Sequence, residues 1–190
     1  MKINNYSGWI FIDKPEGKTS FDIIRQIKKI LKIKKIGHSG TLDPIASGIL
    51  GIGIGEATKS IPFFSKKKEY KFEITFGESK DTDDISGKTT KTSEIIPSIE
   101  QISNCLNEFI GNISQVPPNY SAVKVNGRRA YKLARNDINF ELKEKKIEIY
   151  SLECTAQVGP STFSFIAECS SGTYIRSLAR DIAIKLNTLG

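Results

Sequence analysis

A strict alternation of apolar and polar residues between positions 70 and 76 is the feature that most constrains the fold of this chain. Every second side chain of a β-strand points to the same face, so a period of two indicates a strand with one buried face. The apolar members of the run are Tyr70, Phe72, Ile74 and Phe76. The chain therefore contains at least one half-buried strand.

Further strands are predicted from shorter patterns. Apolar runs bounded by turn residues indicate strands at 8–12, 147–158 and 162–169. Glycine alternates with aliphatic residues at 47–55, which predicts a buried strand that another backbone approaches closely. The chain is therefore dominated by sheet.

Three segments have the capping residues and the spacing of helices. The first begins at Thr19 or Ser20, the second begins with a capping box at Ser98 and ends at Gly111, and the third begins near Thr173. The apolar face of the first helix is expected to contain Phe21, Ile24, Ile27 and Leu31. Strands and helices together predict an α+β chain, and 190 residues favour one domain.

One carboxylate is distinguished by its neighbours in the segment GHSGTLDP at 37–44. Asp43 lies between glycine-containing turns and Pro44, whose ring stiffens the backbone directly behind it. The small residues let a large ligand approach, and Leu42 can help to exclude water. This arrangement suits a nucleophile or a base that acts on a large substrate.

The net charge and the cysteine content limit which partners and which cellular compartment the protein can have. The 28 Lys and Arg residues against 21 Asp and Glu give a net charge of +7, which fits a polyanionic partner, although a basic solvated surface gives the same value. Three widely spaced cysteines argue against a disulfide scaffold and against a zinc cluster. The sequence has no signal-peptide pattern and no apolar run of membrane-spanning length, so we expect a cytoplasmic protein without a membrane partner.

Two basic segments are candidates for contact with phosphates. The polar face of the first helix carries Arg25, Lys28, Lys29 and Lys32, a pattern that by itself is more typical of a solvated face. Residues 119–146 mix aromatic and basic side chains and offer stacking faces together with phosphate partners. An ordinary surface hairpin and helix is the alternative for this second segment.

Three known motifs are excluded because residues that they require are missing. The GKT at 17–19 resembles the end of a phosphate-binding loop, but Ile12 occupies the position of its first glycine. A serine hydrolase is also excluded. The segment at 37–41 lacks the final glycine of a nucleophile elbow, and His38 is adjacent to Ser39, whereas the histidine of a catalytic triad usually comes from elsewhere in the chain. The acidic run at 81–84 lacks the glycine and the closing glutamate of a calcium loop, so a solvated turn explains it better.

Several sequence blocks together resemble the TruB-type pseudouridine synthases. Besides Tyr70, they are Lys14-Pro15 after a strand, GHSGTLDP at 37–44, GEATK at 55–59, QVPPNYSAVKVNGRRAYKLAR at 115–135 and GTYIRSLARD at 172–181. They follow the family's order and spacing over nearly all of the chain. The resemblance implies an α+β pseudouridine synthase fold, with a mixed, mostly antiparallel central sheet flanked by helices and loops. It also implies the isomerisation of uridine 55 in the T-loop of tRNA.

The implied reaction breaks the N1–C1′ bond, rotates the uracil and joins C5 to C1′, so it needs a carboxylate and no metal or cofactor. Asp43 would either attack C1′ or take a proton from C2′, and the sequence leaves both open. Arg176 would pair with Asp43 and keep it ionised, whereas the alternative for Arg176 is an exposed position on a helix. Tyr70 would stack on the target base, which is compatible with its alternative role as a core aromatic of a strand.

The resemblance also assigns contacts with the RNA. The substrate-binding residues would be His38, Tyr174, Lys14, Pro15 and Leu42. Of these, His38 would support the flipped nucleotide, because a base cannot react inside its stack. Residues 119–146 would be the family's insertion that clamps the RNA stem-loop. Its phosphate contacts would come from Lys124, Arg128, Arg129, Lys132 and Arg135.

The family normally continues beyond the helix that here reaches Asn187, with further strands and, in many members, a small C-terminal PUA domain. The resemblance therefore implies a catalytic domain over residues 1–190 that lacks the PUA domain and acts as a monomer on the T-arm of tRNA. The alternative is a catalytically weak RNA-binding or tRNA-folding module of the same fold. Turnover distinguishes the two.

Overall fold

The computed structural model describes residues 5–64 and 66–190. The chain divides into two compact units, with the boundary between Lys66 and Lys67, and each unit has its own hydrophobic core. A single catalytic domain over residues 1–190 stays a prediction.

The first unit is a three-stranded antiparallel sheet that packs against one helix. Its elements are β1 (Gly8–Lys14), α1 (Ser20–Leu31), β2 (Ile36–His38), β3 (Gly48–Ile54) and a 3-10 helix (Gly55–Phe63). Strand β3 lies in the middle and pairs with both β1 and β2. Side chains of α1 and β3 form the core, which confirms the predicted buried strand at 47–55.

Helix α1 begins where its capping residues predict. Thr19 is the N-cap, its hydroxyl accepts a hydrogen bond from the Asp22 N–H, and the Asp22 carboxylate accepts one from the Thr19 N–H. The prediction that Phe21 faces the core is wrong, since 62% of its surface is exposed. Residues three apart on a helix differ in direction by about 60°. This offset moves Phe21 out of the apolar face, and Ile23 is buried there instead.

Other parts of the chain approach the glycines of β3 more closely than a side chain would allow, as the sequence predicts. A Cβ at Gly53 would lie 3.1 Å from the carbonyl oxygen of Ala57, and a Cβ at Gly51 would lie 2.8 Å from Ser39 Oγ. The Ser39 N–H also donates to the Gly51 carbonyl at 2.9 Å. The loop that follows β2 is thereby fixed against β3.

The second unit combines a four-stranded antiparallel sheet, helices and two small hairpins. Its elements in chain order are β4 (Lys67–Thr75), β5 (Glu78–Lys80), β6 (Thr89–Thr92), α2 (Ile99–Leu106), β7 (Gly111–Gln115), β8 (Lys124–Val125), β9 (Arg128–Arg129), α3 (Ala130–Ala134), β10 (Lys145–Gln157), β11 (Thr162–Ser170) and α4 (Ile175–Lys185). The main sheet has the order β4-β11-β10-β7, while β5 pairs with β6 and β8 pairs with β9.

The core of the second unit confirms the half-buried strand predicted from the alternation at 70–76. Ile74 in β4 and Phe76 directly after it are each 2% exposed, and both contribute to a core with residues of α2 and α4 such as Ile102 and Leu178. The α+β class is therefore confirmed. Every strand pairing among the described residues is antiparallel, so the mixed component of the expected sheet is not among them.

The insertion forms a hairpin followed by a short helix. Asn126 and Gly127 join β8 to β9, and both have positive φ, at 48° and 81°, as a tight hairpin turn requires. The buried Ala130 donates its N–H to the Val123 carbonyl at 2.8 Å and so anchors α3 on the hairpin. The predicted segment 119–146 extends slightly too far, because β10 of the main sheet begins at Lys145.

Candidate active site

The loop that carries Asp43 is held by backbone hydrogen bonds within the first unit. The Gly17 N–H donates to the Pro44 carbonyl at 2.7 Å, and the Ala46 N–H donates to the Asp43 carbonyl at 3.1 Å. Asp43 itself is half-buried. The backbone that carries this carboxylate is therefore fixed, and the role of Asp43 as the catalytic group stays a prediction.

Ser20 adds a side-chain clasp to the same loop. Its hydroxyl is buried, accepts from the Leu42 N–H at 3.0 Å and donates to the Leu42 carbonyl at 3.2 Å. Because Leu42 directly precedes Asp43, the first turn of α1 fixes the backbone that carries the carboxylate. The sequence marked Ser20 only as a possible helix cap, and no local pattern reveals its bond to a residue 22 positions away.

Lys14 supports the neighbouring turn from the inside. The residue is fully buried, and its Nζ donates to the carbonyls of Pro15 at 2.9 Å and Lys18 at 2.7 Å. Burial lowers the pKa of Lys14, while the nearby carboxylates of Asp43 and Glu16 act in the opposite direction. This geometry gives Lys14 a structural role beside Asp43, and its assignment with Pro15 to substrate binding stays a prediction.

His38 ends β2 with an unused hydrogen-bonding atom. Its Nδ1 is buried and has no hydrogen-bond partner among the described residues. Buried polar atoms are normally satisfied, so such an atom needs an explanation. No solvent-accessible surface leads to this atom, so it gives no evidence of a ligand, and the role of His38 in holding a nucleotide stays a prediction.

Tyr70 and Tyr174 both belong to the second unit. Tyr70 lies in β4 opposite Ala167, is half-buried, and packs against the core. Its alternative role as a core aromatic is thus observed, and its stacking on a base stays a prediction. Tyr174 precedes α4 as its N-cap, although its own side chain makes no capping bond.

Gln115, at the end of β7, holds the backbone of Tyr174. Its buried side chain accepts from the Tyr174 N–H at 2.8 Å and donates from Nε2 to the Tyr174 carbonyl at 3.1 Å. An amide offers one acceptor and two donors and so satisfies both backbone groups at once. Sequence reasoning missed this contact, which spans 59 positions.

Arg176 is held in place by the loop between β5 and β6. Its guanidinium donates to the carbonyls of Thr82 at 2.9 Å and Tyr120 at 3.3 Å, and lies 3.7 Å from the Asp84 carboxylate. Only 11% of the Arg176 side chain is exposed, so the alternative of an exposed helix-face arginine is wrong.

The acidic run at 81–84 also differs from the expectation of a solvated turn. Asp83 and Asp84 have side chains that are 18% and 11% exposed, and Asp83 pairs with Arg180 at 2.9 Å. Burial raises the pKa of Asp83, and Arg180 counteracts this. The prediction failed because the arginines that stabilise the loop lie more than 90 positions away in the sequence.

The residues predicted to share one site belong to two different units. His38, Leu42 and Asp43 lie in the first, whereas Tyr70 and Arg176 lie in the second. Each group lies within its own unit. The predicted ion pair between Asp43 and Arg176 stays a prediction.

The five cations predicted to bind RNA are all exposed on the insertion. They are Lys124, Arg128, Arg129, Lys132 and Arg135. Three of them line an open depression of about 340 Å³ together with Leu133 and Asn136. This surface is accessible to phosphates, and contact with RNA there stays a prediction.

The described residues lack two kinds of feature. They contain no group of three or more His, Cys, Asp or Glu side chains that could hold a metal ion. No helix among them is both long enough and apolar enough to cross a membrane.

Comparison with solved structures identifies the fold. The chain resembles a protein from the crystal structure of a Cbf5-Nop10-Gar1 complex, with 28% identity, a TM-score of 0.65, and coverage of 97% of this chain and 46% of that one. A chain from an H/ACA RNP bound to a substrate RNA containing 2′-deoxyuridine matches similarly, with 27% identity, a TM-score of 0.65, and coverage of 96% and 44%.

Comparison with sequences identifies the family. The model of the TruB family pseudouridylate synthase N-terminal domain matches residues 28–175. The tRNA pseudouridine synthase B of Caulobacter sp. (strain K31) is 44% identical over 185 residues, which are 97% of this chain and 60% of the relative. That of Ehrlichia ruminantium (strain Gardel) is 47% identical, covering 96% of this chain and 62% of the relative. The chain thus spans about 60% of the length of these relatives, and it belongs to the TruB family of pseudouridylate synthases.

Proposed function

We propose that this protein converts uridine 55 in the T-loop of tRNA to pseudouridine. The observation that carries the proposal is the fixed, half-buried Asp43 in a loop within the segment that matches the family. The named relatives support tRNA as the substrate.

Asp43 performs the chemistry in one of two ways. It attacks C1′ and expels N1 of the uracil, or it removes the C2′ proton while N1 departs. In both routes the uracil then rotates and C5 bonds to C1′. In the first route this expels the Asp43 carboxylate from C1′, and in the second Asp43 returns the proton to C2′. The C5 proton is then lost while N1 gains one. The product is an isomer of the substrate.

The second unit supplies the other proposed groups. Arg176 pairs with Asp43 and keeps the carboxylate ionised in a pocket from which water is excluded. Tyr70 stacks on the base, its hydroxyl assists the removal of the C5 proton, and Tyr174 lines the pocket. The low exposure of Arg176 and its several hydrogen bonds support a positioned rather than a mobile guanidinium.

Substrate recognition combines base flipping with contacts to the T-arm. His38 holds the nucleotide that leaves its stack, and its place at the end of β2, five residues before Asp43, supports this assignment. The insertion contacts the stem-loop through its five exposed cations, which suit recognition by shape and phosphates. We further propose that the protein acts as a monomer in the cytoplasm, and the three free cysteines fit a reducing compartment.

A carbodiimide-based map of pseudouridine tests the proposal. An unmodified tRNA transcript is incubated with the protein, treated with the carbodiimide and read by reverse transcription. We expect one new stop that reports position 55, and none with Asp43→Asn. Tight binding of the tRNA without any stop would instead establish the alternative of an RNA-binding module.

A further inference from the structure

One side of helix α1 is an exposed stripe of cations that the proposed chemistry does not use. Arg25, Lys28, Lys29 and Lys32 are all exposed, and they project from the face opposite the buried Ile23 and Ile24. We refer to these four cations as the α1 stripe. Its helical members, Arg25, Lys28 and Lys29, span about 6 Å along the helix axis at 1.5 Å per residue, and Lys32 is the C-cap that follows Leu31.

Most of the charge on the α1 stripe is not neutralised by the protein. Lys28, Lys29 and Lys32 make no ion pair with any of the described residues. Only Arg25 has an acidic partner, Asp22, and its guanidinium also lies over the exposed ring of Phe21, 5.4 Å from the ring centroid.

The helical cations are close enough to repel one another. Arg25 and Lys29 are four positions apart in α1, and like charges at this spacing repel. A bound polyanion removes this repulsion, so the stripe is complementary to a phosphate backbone. An open depression of about 470 Å³ beside it, lined by Lys18, Asp22, Arg25, Gln26 and Lys29, leaves room for such a ligand.

The α1 stripe is joined rigidly to the loop that carries Asp43. Ser20, in the first turn of the same helix, binds both backbone polar groups of Leu42. The position of the stripe relative to Asp43 is therefore fixed within the first unit. An RNA positioned by the stripe is positioned relative to Asp43 as well.

From these observations we propose that the α1 stripe is a second RNA-binding surface, which contacts phosphates of the RNA whose uridine is held at Asp43. The inference rests on the proposed function and adds a contact separate from the insertion. Its contribution is electrostatic, so it strengthens binding to many sequences alike and weakens as salt rises.

The test uses the double variant Lys28→Gln, Lys32→Gln and a fluorescently labelled T-arm RNA hairpin. Glutamine preserves the helix, because its helix propensity is close to that of lysine. We expect the slope of log affinity against log salt to flatten by about 1.4 to 1.8, since each lost phosphate contact accounts for roughly 0.7 to 0.9. The loss of affinity should exceed the loss of single-turnover rate at saturating RNA.

Two further variants make the outcome specific. Lys88→Gln, Lys91→Gln removes the same charge from exposed positions of the second unit and should keep the slope of the parent protein. Arg128→Gln, Lys132→Gln removes charge from the insertion and should flatten the slope. An unchanged slope for the α1 variant, or an equal decrease in the Lys88 and Lys91 variant, contradicts the α1 stripe proposal. If the parent protein binds the RNA but does not turn it over, that result contradicts the proposed function and not the α1 stripe proposal.

Discussion

The Gln115 side chain forms hydrogen bonds with both backbone polar groups of Tyr174. The Tyr174 N–H donates to Oε1 at 2.8 Å, and Nε2 donates to the Tyr174 carbonyl at 3.1 Å. Tyr174 is the N-cap of α4 and lies two residues before Arg176, so this amide sets where α4 starts. Gln115 thereby positions two residues of the proposed pocket without touching the substrate.

Gln115→Glu should make the reaction depend on pH in a new way. A protonated glutamic acid still donates to the Tyr174 carbonyl, whereas an ionised carboxylate has no donor and faces that carbonyl unfavourably. Burial raises the pKa of a carboxyl group, so the loss is expected within the near-neutral range. The ratio of the variant's single-turnover rate to that of the parent should therefore fall as pH rises.

Gln115→Met is the matched control, because it fills similar space but cannot titrate. Its rate ratio should be low and constant with pH. Parallel profiles of the Gln115→Glu variant and the parent would show that the clasp does not position Tyr174 and Arg176 for the reaction.

Ser20→Ala should slow turnover more than it weakens RNA binding. The change removes the hydroxyl that bonds the N–H and carbonyl of the half-buried Leu42, at a cost of about 1 to 3 kcal/mol where such groups stay unsatisfied, and it loosens the backbone next to Asp43. Chemical denaturation and single-turnover rates measure the two effects. Ser103→Ala, which removes a hydroxyl bonded only within its own helix, should leave the rate unchanged.

Lys14→Met should destabilise the protein more at alkaline pH than at neutral pH. Burial lowers the pKa of Lys14 below its ordinary value of 10.5. The unfolded chain therefore binds more protons at this site between the lowered pKa and 10.5, and the parent gains stability as pH rises through that window. The difference in unfolding free energy between parent and variant should grow across this window, and a constant difference would contradict the burial effect.

Three of the four strands of the main sheet could be predicted from the sequence because their signals are local, whereas β7 was missed. The alternation at 70–76 and the glycine pattern at 47–55 report period and burial within a few residues, and both strands were found. The pair β5 and β6 was missed, because Glu78–Lys80 and Thr89–Thr92 are polar throughout and contain no alternation of hydrophobicity.

The support of the candidate site could not be predicted in the same way. The segment around Asp43 was identified by its own composition, but Ser20, Gln115 and Asp84 act on residues between 22 and 92 positions away. A single side-chain bond over that distance leaves no periodic trace in the sequence. The burial of Asp83 and Asp84 was misjudged for the same reason.

Arg176→Ala should reduce the single-turnover rate by roughly 100-fold or more, as loss of a preorganised charge partner does. It removes the guanidinium proposed to keep Asp43 ionised and leaves the Thr82 and Tyr120 carbonyls without this donor. Arg180→Ala is the control on the same helix, since its partners are Asp83, Asp181 and the Val116 carbonyl, and it should lower stability more than rate. A drop in RNA affinity with an unchanged rate would identify Arg176 as a phosphate contact instead.

The most direct test of the central claim is the release of tritium from a T-arm RNA labelled at C5 of uridine 55, measured under single turnover for the parent and for Asp43→Asn. The C5 hydrogen leaves only when C5 has bonded to C1′, so tritium release reports the isomerisation itself. We predict complete release by the parent and none by Asp43→Asn, with RNA affinity retained in the variant. Release by Asp43→Asn at a rate comparable to that of the parent would contradict the assignment of the chemistry to Asp43.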